Sequence, residues 1–283
     1  MKRIKYLEND NPTIYVVATP IGNLDEATQR MIDTLNKVAF ILCEDTRVSS
    51  KLLSHFKIKD KTLESYHLHN EYDKLDYVFQ KVMEHKEIAL ISDAGYPLIS
   101  DPGHYLIEEA TKRDINVVVI NGPSAILPAL ISSGFATKPF TFIGFLSNKS
   151  NDALSELEQF KTYNHTLILY EAVHRLNKTL KHILDVFGDI DISISREITK
   201  LNEEHIYGRV SELLKADLAL KGELVLCLNN SQESDSNVID DEFILNEINK
   251  CLQANMSKKD SIKKVSKQYG IEKNYVYDLV HKI

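Results

Sequence analysis

The 283-residue chain has only three cysteines, Cys43, Cys227 and Cys251, each standing alone in apolar surroundings. With no C-x-x-C pair, neither a disulfide framework nor a zinc site is signalled. Long apolar runs are also missing. The longest, such as Val117 to Ile120 and Ala125 to Ile131, fall far short of the roughly 20 residues a membrane span needs, so no membrane partner is expected. Near the N-terminus Lys2, Arg3 and Lys5 are followed by Glu8, Asn9, Asp10 and Asn11 rather than by the apolar centre of a signal peptide. A cytoplasmic location is the expectation. An excess of positive charge is lacking too: 34 Lys and Arg stand against 41 Asp and Glu, a net −7, which argues against a protein held on nucleic acid by bulk electrostatics alone. Finally, proline disappears beyond Pro139. The first half therefore carries elaborate strand-to-helix loops that the second half does not.

What is present is the composition of a globular protein, 43% hydrophobic and 27% charged. Short β-rich apolar runs recur at Ile14 to Ala18, Ala39 to Cys43, Ile88 to Ser92, Val117 to Ile120, Thr141 to Phe145, Leu167 to Tyr170, Ile192 to Ser195 and Leu224 to Leu228. Helical patterns separate them, and that alternation predicts an α/β fold. Leu75, Val78, Phe79, Val82 and Met83 follow helical spacing and predict one buried stripe. The segment SQESDSNVID at 231–240 is polar and acidic and reads as a linker. The expected domains are thus 1–120, 121–230 and a small helical appendage at 241–283. In that appendage Phe243, Ile244, Ile248, Cys251 and Leu252 suggest one helix, and Ser257 with Asp260 gives a capping pattern for a second that Gly270 stops. Asn274 to Ile283 supplies a third, and the last two with their turn resemble a helix-turn-helix unit. Charge is uneven: residues 257–283 carry 7 basic and 3 acidic side chains, whereas residues 1–230 carry 26 and 32.

In an open α/β sheet, ligands bind beyond the carboxyl ends of the strands. Four post-strand loops are unusual. Thr19-Pro20-Ile21-Gly22-Asn23-Leu24-Asp25 sets a tight turn before a helix start. Glu44-Asp45-Thr46-Arg47 places three charges directly after a buried strand, either for chemistry or as a surface ion pair. The third, SDAGYPLISDPG at 92–103, twice places an Asp before a small residue or Pro and then a Gly, which lets main chain approach a ligand closely. The fourth, Asn121-Gly122-Pro123-Ser124-Ala125, opens a helix, with the Ser124 hydroxyl suited equally to capping and to ligand contact.

Taken in order, VVATPIGNLDEAT, CEDTR, SDAGYPLISDPG, NGPSA, FIGFL, LYEAVHR, SREITKLNEE and GELVL resemble the tetrapyrrole (corrin/porphyrin) methylase family across about residues 13 to 228. Within that family they are similar to its ribosomal-RNA branch, because the first loop reads TPIGN where pigment-methylating relatives carry a glycine-richer loop. The resemblance implies two α/β domains with S-adenosylmethionine in the cleft between them, usually within a homodimer. It also implies 2′-O-methylation of a cytidine ribose in the decoding region of small-subunit ribosomal RNA, as naked RNA or in the small ribosomal subunit. Carried over by position, it assigns Pro20, Gly22, Asp93, Ala94, Gly95, Pro97, Ser124, Ala125, Tyr170 and Glu171 to the cofactor. No G-x-G-x-G loop of the common Rossmann methyltransferases is present.

A ribose hydroxyl is a poor nucleophile at neutral pH, so a nearby base would help remove its proton. Glu44 and Asp45 are the candidates, with Arg47 for a phosphate or for orienting the acids. His67, His69 and Asn70 in YHLHNE, with His174, Arg175 and Lys200, are candidates for gripping the nucleotide, or equally structural partners. His67 and His69 with Glu71 have poor spacing for a metal, and no metal is expected. Two rival functions stand beside this one: a small-molecule tetrapyrrole methylase, and a nucleic-acid-binding regulator whose α/β body senses a metabolite.

Overall fold

The computed structural model describes residues 9–68, 70–216, 218–231, 241–254, 256–269 and 271–281. His69, Gly270, Ile283, the basic start of the chain and most of the expected linker lie outside the described residues. The chain forms two compact units, Met1–Asn230 and Ser231–Ile283.

Near-continuous apolar runs suit strands buried on both faces, and they build the first sheet of the larger unit. Its strands are β1 (Thr13–Val17), β2 (Phe40–Cys43), β3 (Thr62–Ser65), β4 (Glu87–Ile91) and β5 (Asn116–Ile120). They lie parallel in the order β3-β2-β4-β1-β5. Helices α1 (Gln29–Lys37) and α2 (Thr46–His55) cover one face, packing Met31, Leu35 and Leu53 on Val17, Ile41 and Ile91. Helices α3 (Leu75–His85) and α4 (His104–Lys112) cover the other, with Val78, Phe79, Val82 and Leu106 against Ile14, Leu42 and Leu90. Met83, expected in the buried stripe, is exposed; the sheet meets only the arc of α3 centred on Val78 and Val82.

After β5 the chain forms α5 (Ile126–Ser133), then β6 (Phe140–Phe145), α6 (Ser150–Glu158), β7 (Thr166–Ala172), α7 (Leu176–Phe187), β8 (Asp191–Arg196), β9 (Glu204–Arg209), α8 (Val210–Ala216) and β10 (Glu223–Leu228). The second sheet has the order β6-β7-β10-β8-β9, with β6 parallel to β7 and the remaining pairs antiparallel. Helices α6 to α8 bury Leu157, Leu180, Ile183 and Leu213 on one of its faces. Helix α5 lies on the other, packing Ala129 and Leu130 against Ile168, Val225 and Cys227. The α/β class is as expected, and each of the eight β-rich apolar runs became a strand, whereas the run Ala125 to Ile131 became α5. Two strands, β3 and β9, were not anticipated. Both are sheet edges with half-exposed residues, so neither presents an apolar run.

The smaller unit packs α9 (Asp241–Gln253), α10 (Lys258–Tyr269) and α11 (Lys273–His281) around Ile244, Ile248, Ile262, Val265, Val276 and Val280. Ser257 accepts from the Asp260 N–H at 3.1 Å, capping α10 as its sequence pattern predicts.

Candidate functional site

The parallel strands β1, β4 and β5 send their loops off one edge of the first sheet, the edge at which α/β folds bind ligands. Two of those loops are clasped together. The Thr19 N–H donates to the Gly95 carbonyl at 2.9 Å, and the Gly95 N–H donates back to Thr19 at 3.0 Å. Gly95 makes this contact at φ +77°, a conformation that a side chain would strain. The third loop is drawn in by Tyr96, whose hydroxyl accepts from the Gly122 N–H at 3.1 Å.

Further along, Leu98 and Ser100 are held at φ 72° and 71°. Non-glycine residues keep such a conformation only where the surroundings determine it. Here the anchor is Glu71, a buried residue of the YHLHNE segment, whose Oε2 accepts from the Gly103 N–H at 2.9 Å. Pro97 and Pro102 are buried within the same loop.

These loops, with Tyr170 to Ala172 on β7 and Gly222 to Val225 entering β10, line a cleft of about 470 Å³. That lies within the range of small-molecule sites. Ile21, Ile99, Ile126, Phe145, Tyr170 and Ile198 supply apolar wall, with the Phe145 and Tyr170 rings 5.4 Å apart. Ala94 and Gly95 supply wall with almost no side chain.

Five carboxylates, Glu44, Asp93, Asp101, Glu171 and Glu223, line the same cleft. Burial and then the charge of Asp93 push the Glu44 carboxyl up, opposed by the charge of His67. Burial raises Asp93 as well. Asp101 goes furthest, pushed up to about 6 by burial first and then by Glu44, against a hydrogen bond from Ser92. The Tyr170 hydroxyl rises to about 12, through burial and then the charge of Asp101. A carboxyl that titrates near neutrality inside a cleft is suited to accept a proton.

Of the residues expected from sequence, Glu44, Asp93, Ala94, Gly95, Ser124, Ala125, Tyr170 and Glu171 line this cleft. Pro20, Gly22 and Pro97 do not line it: Pro20 and Pro97 are buried, and the Lys200 side chain lies over Gly22. Lys200 itself pairs with Glu197 at 3.0 Å and Glu223 at 2.8 Å. Asp45 is engaged elsewhere. It accepts from the Arg47 N–H at 2.8 Å at the start of α2 and pairs with the Arg47 guanidinium at 2.6 Å, which holds its carboxyl down at about 2.

Glu171 turns its buried carboxylate to Thr179, to the Ala172 N–H at 2.8 Å and to Arg175 at 3.2 Å. Arg175 also donates to the carbonyl of Leu146 at 2.6 Å and to Asn148, tying two loops together. Asn70 accepts from the His67 N–H at 2.8 Å and donates to Ser65, closing its own turn. His174 is exposed on the short turn after β7. Among the described residues no group of three or more His, Cys, Asp or Glu could hold a metal ion. Sequence reasoning passed over Asp101, although it is the second Asp of the repeated Asp/Gly pattern in SDAGYPLISDPG; that repetition was the available signal.

The profile of the family described as Tetrapyrrole (Corrin/Porphyrin) Methylases matches residues 13–214. A protein of Streptococcus pyogenes serotype M18 named ribosomal RNA small subunit methyltransferase I is 39% identical over 272 residues, 95% of this chain and 94% of that protein. A protein of the same name from Mycoplasma pneumoniae is 36% identical over 274 residues, 95% of this chain and 99% of its own length. Among solved structures, uroporphyrin-III C-methyltransferase from Thermus thermophilus, complexed with S-adenyl homocysteine, superposes with a TM-score of 0.56 at 15% identity, covering 77% of this chain and 97% of that one. The shared architecture, the matched residues and the identity along almost the whole length agree: the chain belongs to the tetrapyrrole (corrin/porphyrin) methylase family, among relatives named ribosomal RNA small subunit methyltransferase I.

Proposed function

We propose that this chain transfers the methyl group of S-adenosylmethionine to the ribose 2′-oxygen of a cytidine in the decoding region of small-subunit ribosomal RNA, in the cytoplasm and as a homodimer. The observation that carries the reading is the cleft itself, which joins bare main chain at Ala94 and Gly95 to an acidic lining. The residues fit the cofactor. A Cβ at Gly95 would stand 3.4 Å from Ile21 Cγ2 in a left-handed conformation, so a side chain there would crowd the wall that the ligand needs. The acidic lining complements a cation. The names of the relatives support RNA of the small subunit as the acceptor.

Bound there, S-adenosylmethionine supplies an electrophilic methyl group on a positively charged sulfur. The chain contributes position and a proton acceptor. Ile21, Ile126 and Phe145 keep water from the reacting face, and holding the hydroxyl in line can supply much of the rate. Asp101 takes the 2′-hydroxyl proton, with Glu44 and Asp93 beside it to keep it basic. His67 and His174 are assigned to contacts with the nucleotide outside the cleft lining, while Arg175, Asn70 and Lys200 serve it by fixing the loops. Asp45 and Arg47 shape the start of α2 next to Glu44. The dimer is supported by an apolar patch on α5, where Leu127 and Ile131 are 52% and 72% exposed and Tyr207, also exposed, donates to the Ser132 carbonyl at 2.7 Å.

Incubating the protein with labelled S-adenosylmethionine and three acceptors tests the reading: small subunits lacking the modification, naked small-subunit RNA, and a free tetrapyrrole. Label in RNA from either ribosomal acceptor is expected. Label in the tetrapyrrole alone, or in none, overturns it.

A further inference from the structure

The cleft and its family account for the larger unit, but the family profile ends at residue 214 and leaves the three-helix unit without a task. Within it, α10 has two opposite faces. Ser261, Ile262, Val265 and Ser266 are buried, and at 100° per residue Lys259, Lys263, Lys264 and Lys267 fall on the reverse arc. All four are exposed, as is Lys258 at the helix start, and none forms an ion pair among the described residues. The single acid on that arc, Asp260, is occupied by the Ser257 hydroxyl. Adjacent in the chain, α11 presents Lys273, Asn274, Tyr277 and His281 to solvent, with the Tyr277 and His281 rings stacked 4.1 Å apart. The charge of Lys264 also acts on Glu247 of α9, but that carboxylate is paired with Lys250 and accepts from Tyr269. A cationic face without ion pairs of its own, beside exposed rings, has the chemistry that meets a phosphate backbone and unstacked bases.

We infer that this helical unit is an RNA-docking module whose α10 lysines neutralise backbone phosphates; for the kind of RNA, the inference rests on the function proposed above. Charge decides the class of partner: residues 257–283 carry 7 basic and 3 acidic side chains, whereas residues 1–230 carry 26 and 32 and repel RNA on average. The unit has no arginine, the residue best suited to bidentate readout of guanine. Lysines act as point charges, so the module adds affinity and orientation and leaves the choice of nucleotide to the cleft.

The test uses the full chain with Lys258, Lys259, Lys263, Lys264 and Lys267 all changed to Gln, a matching all-Arg variant, and a transcript of the decoding region as probe. Binding is measured from low to moderate salt. Each phosphate that is no longer neutralised flattens the plot of log affinity against log salt by about 0.7 to 0.9. If the lysines neutralise roughly three to five phosphates, the wild-type advantage over the Gln variant shrinks by roughly 20- to 500-fold between about 50 and 200 mM salt. The Arg variant keeps the wild-type slope. An unchanged slope in a Gln variant of normal helix content overturns the inference, and dissociation of a dimer with the slope intact assigns the face to a second copy of the chain instead. Methyl transfer by the wild type is scored separately: no transfer with a lysine-dependent slope removes the proposed reaction and leaves the docking module, whereas transfer with an unchanged slope does the reverse.

Discussion

Replacing Asp101 by Asn is expected to make the protein more stable and much slower. In the folded chain the carboxyl titrates at about 6 instead of 3.8, so keeping it ionised at pH 8 works against folding. The full shift corresponds to about 3 kcal/mol. Because the residue borders an open cleft, solvent screening reduces this to about 1–2 kcal/mol. Since the folded value lies above the unfolded one, the loss of stability is absent below about 4, builds up as pH rises from about 4 to about 6, and is complete above about 6. Burial sets the shift first, then the charge of Glu44, the Ser92 hydrogen bond that opposes the rise, and the charge of Asp93, with His67 beside Glu44. Asn has the shape of Asp, carries no charge and can still accept from Ser92. Thermal unfolding at pH 8 should then show a midpoint about 2–4 °C above wild type, and the gap should narrow to about a third of that on lowering the pH to 4.5. Turnover should fall by about 10² to 10⁴, as for loss of a general base. A variant that melts at or below wild type at pH 8, or with the same gain at both pH values, would refute the idea that Asp101 is held ionised against its surroundings.

Gly95→Val is expected to abolish S-adenosylmethionine binding in calorimetry while the far-ultraviolet circular dichroism stays unchanged; full affinity in the folded variant would remove Gly95 from the cofactor wall. Asp45→Asn keeps a good N-cap on α2 and should alter turnover by less than about threefold, so a loss beyond tenfold would return Asp45 to the chemistry. Ile131→Glu on the exposed side of α5 should convert dimer to monomer in light scattering, with an unchanged mass showing that the patch is not the interface.

Legibility of the sequence followed burial. Strands such as β4 and β10, enclosed on both faces, announce themselves as apolar runs, whereas TLES in β3 and EHIYGR in β9 are edges whose alternation is too weak to read. The post-strand loops were legible because Pro and Gly mark conformations that few residues share. Their assembly was not: Glu71 meets Gly103 across 32 residues and Tyr96 meets Gly122 across 26. The clearest case is the pair of acids after β2 and β4. In sequence Asp45 and Asp101 look alike, but Arg47, two residues on, engages the first. The second is surrounded by Glu44 and Asp93, which only the tertiary fold brings near.

The position of the transferred methyl group tests the central claim most directly. After reaction of the wild-type protein with S-adenosylmethionine and unmodified small subunits, the RNA is hydrolysed in alkali and its nucleosides are identified by mass spectrometry. A 2′-O-methyl group blocks cleavage of the adjoining phosphodiester, so the account predicts one alkali-resistant dinucleotide that carries 2′-O-methylcytidine. A methyl group on a base, or RNA with none at all, would contradict it.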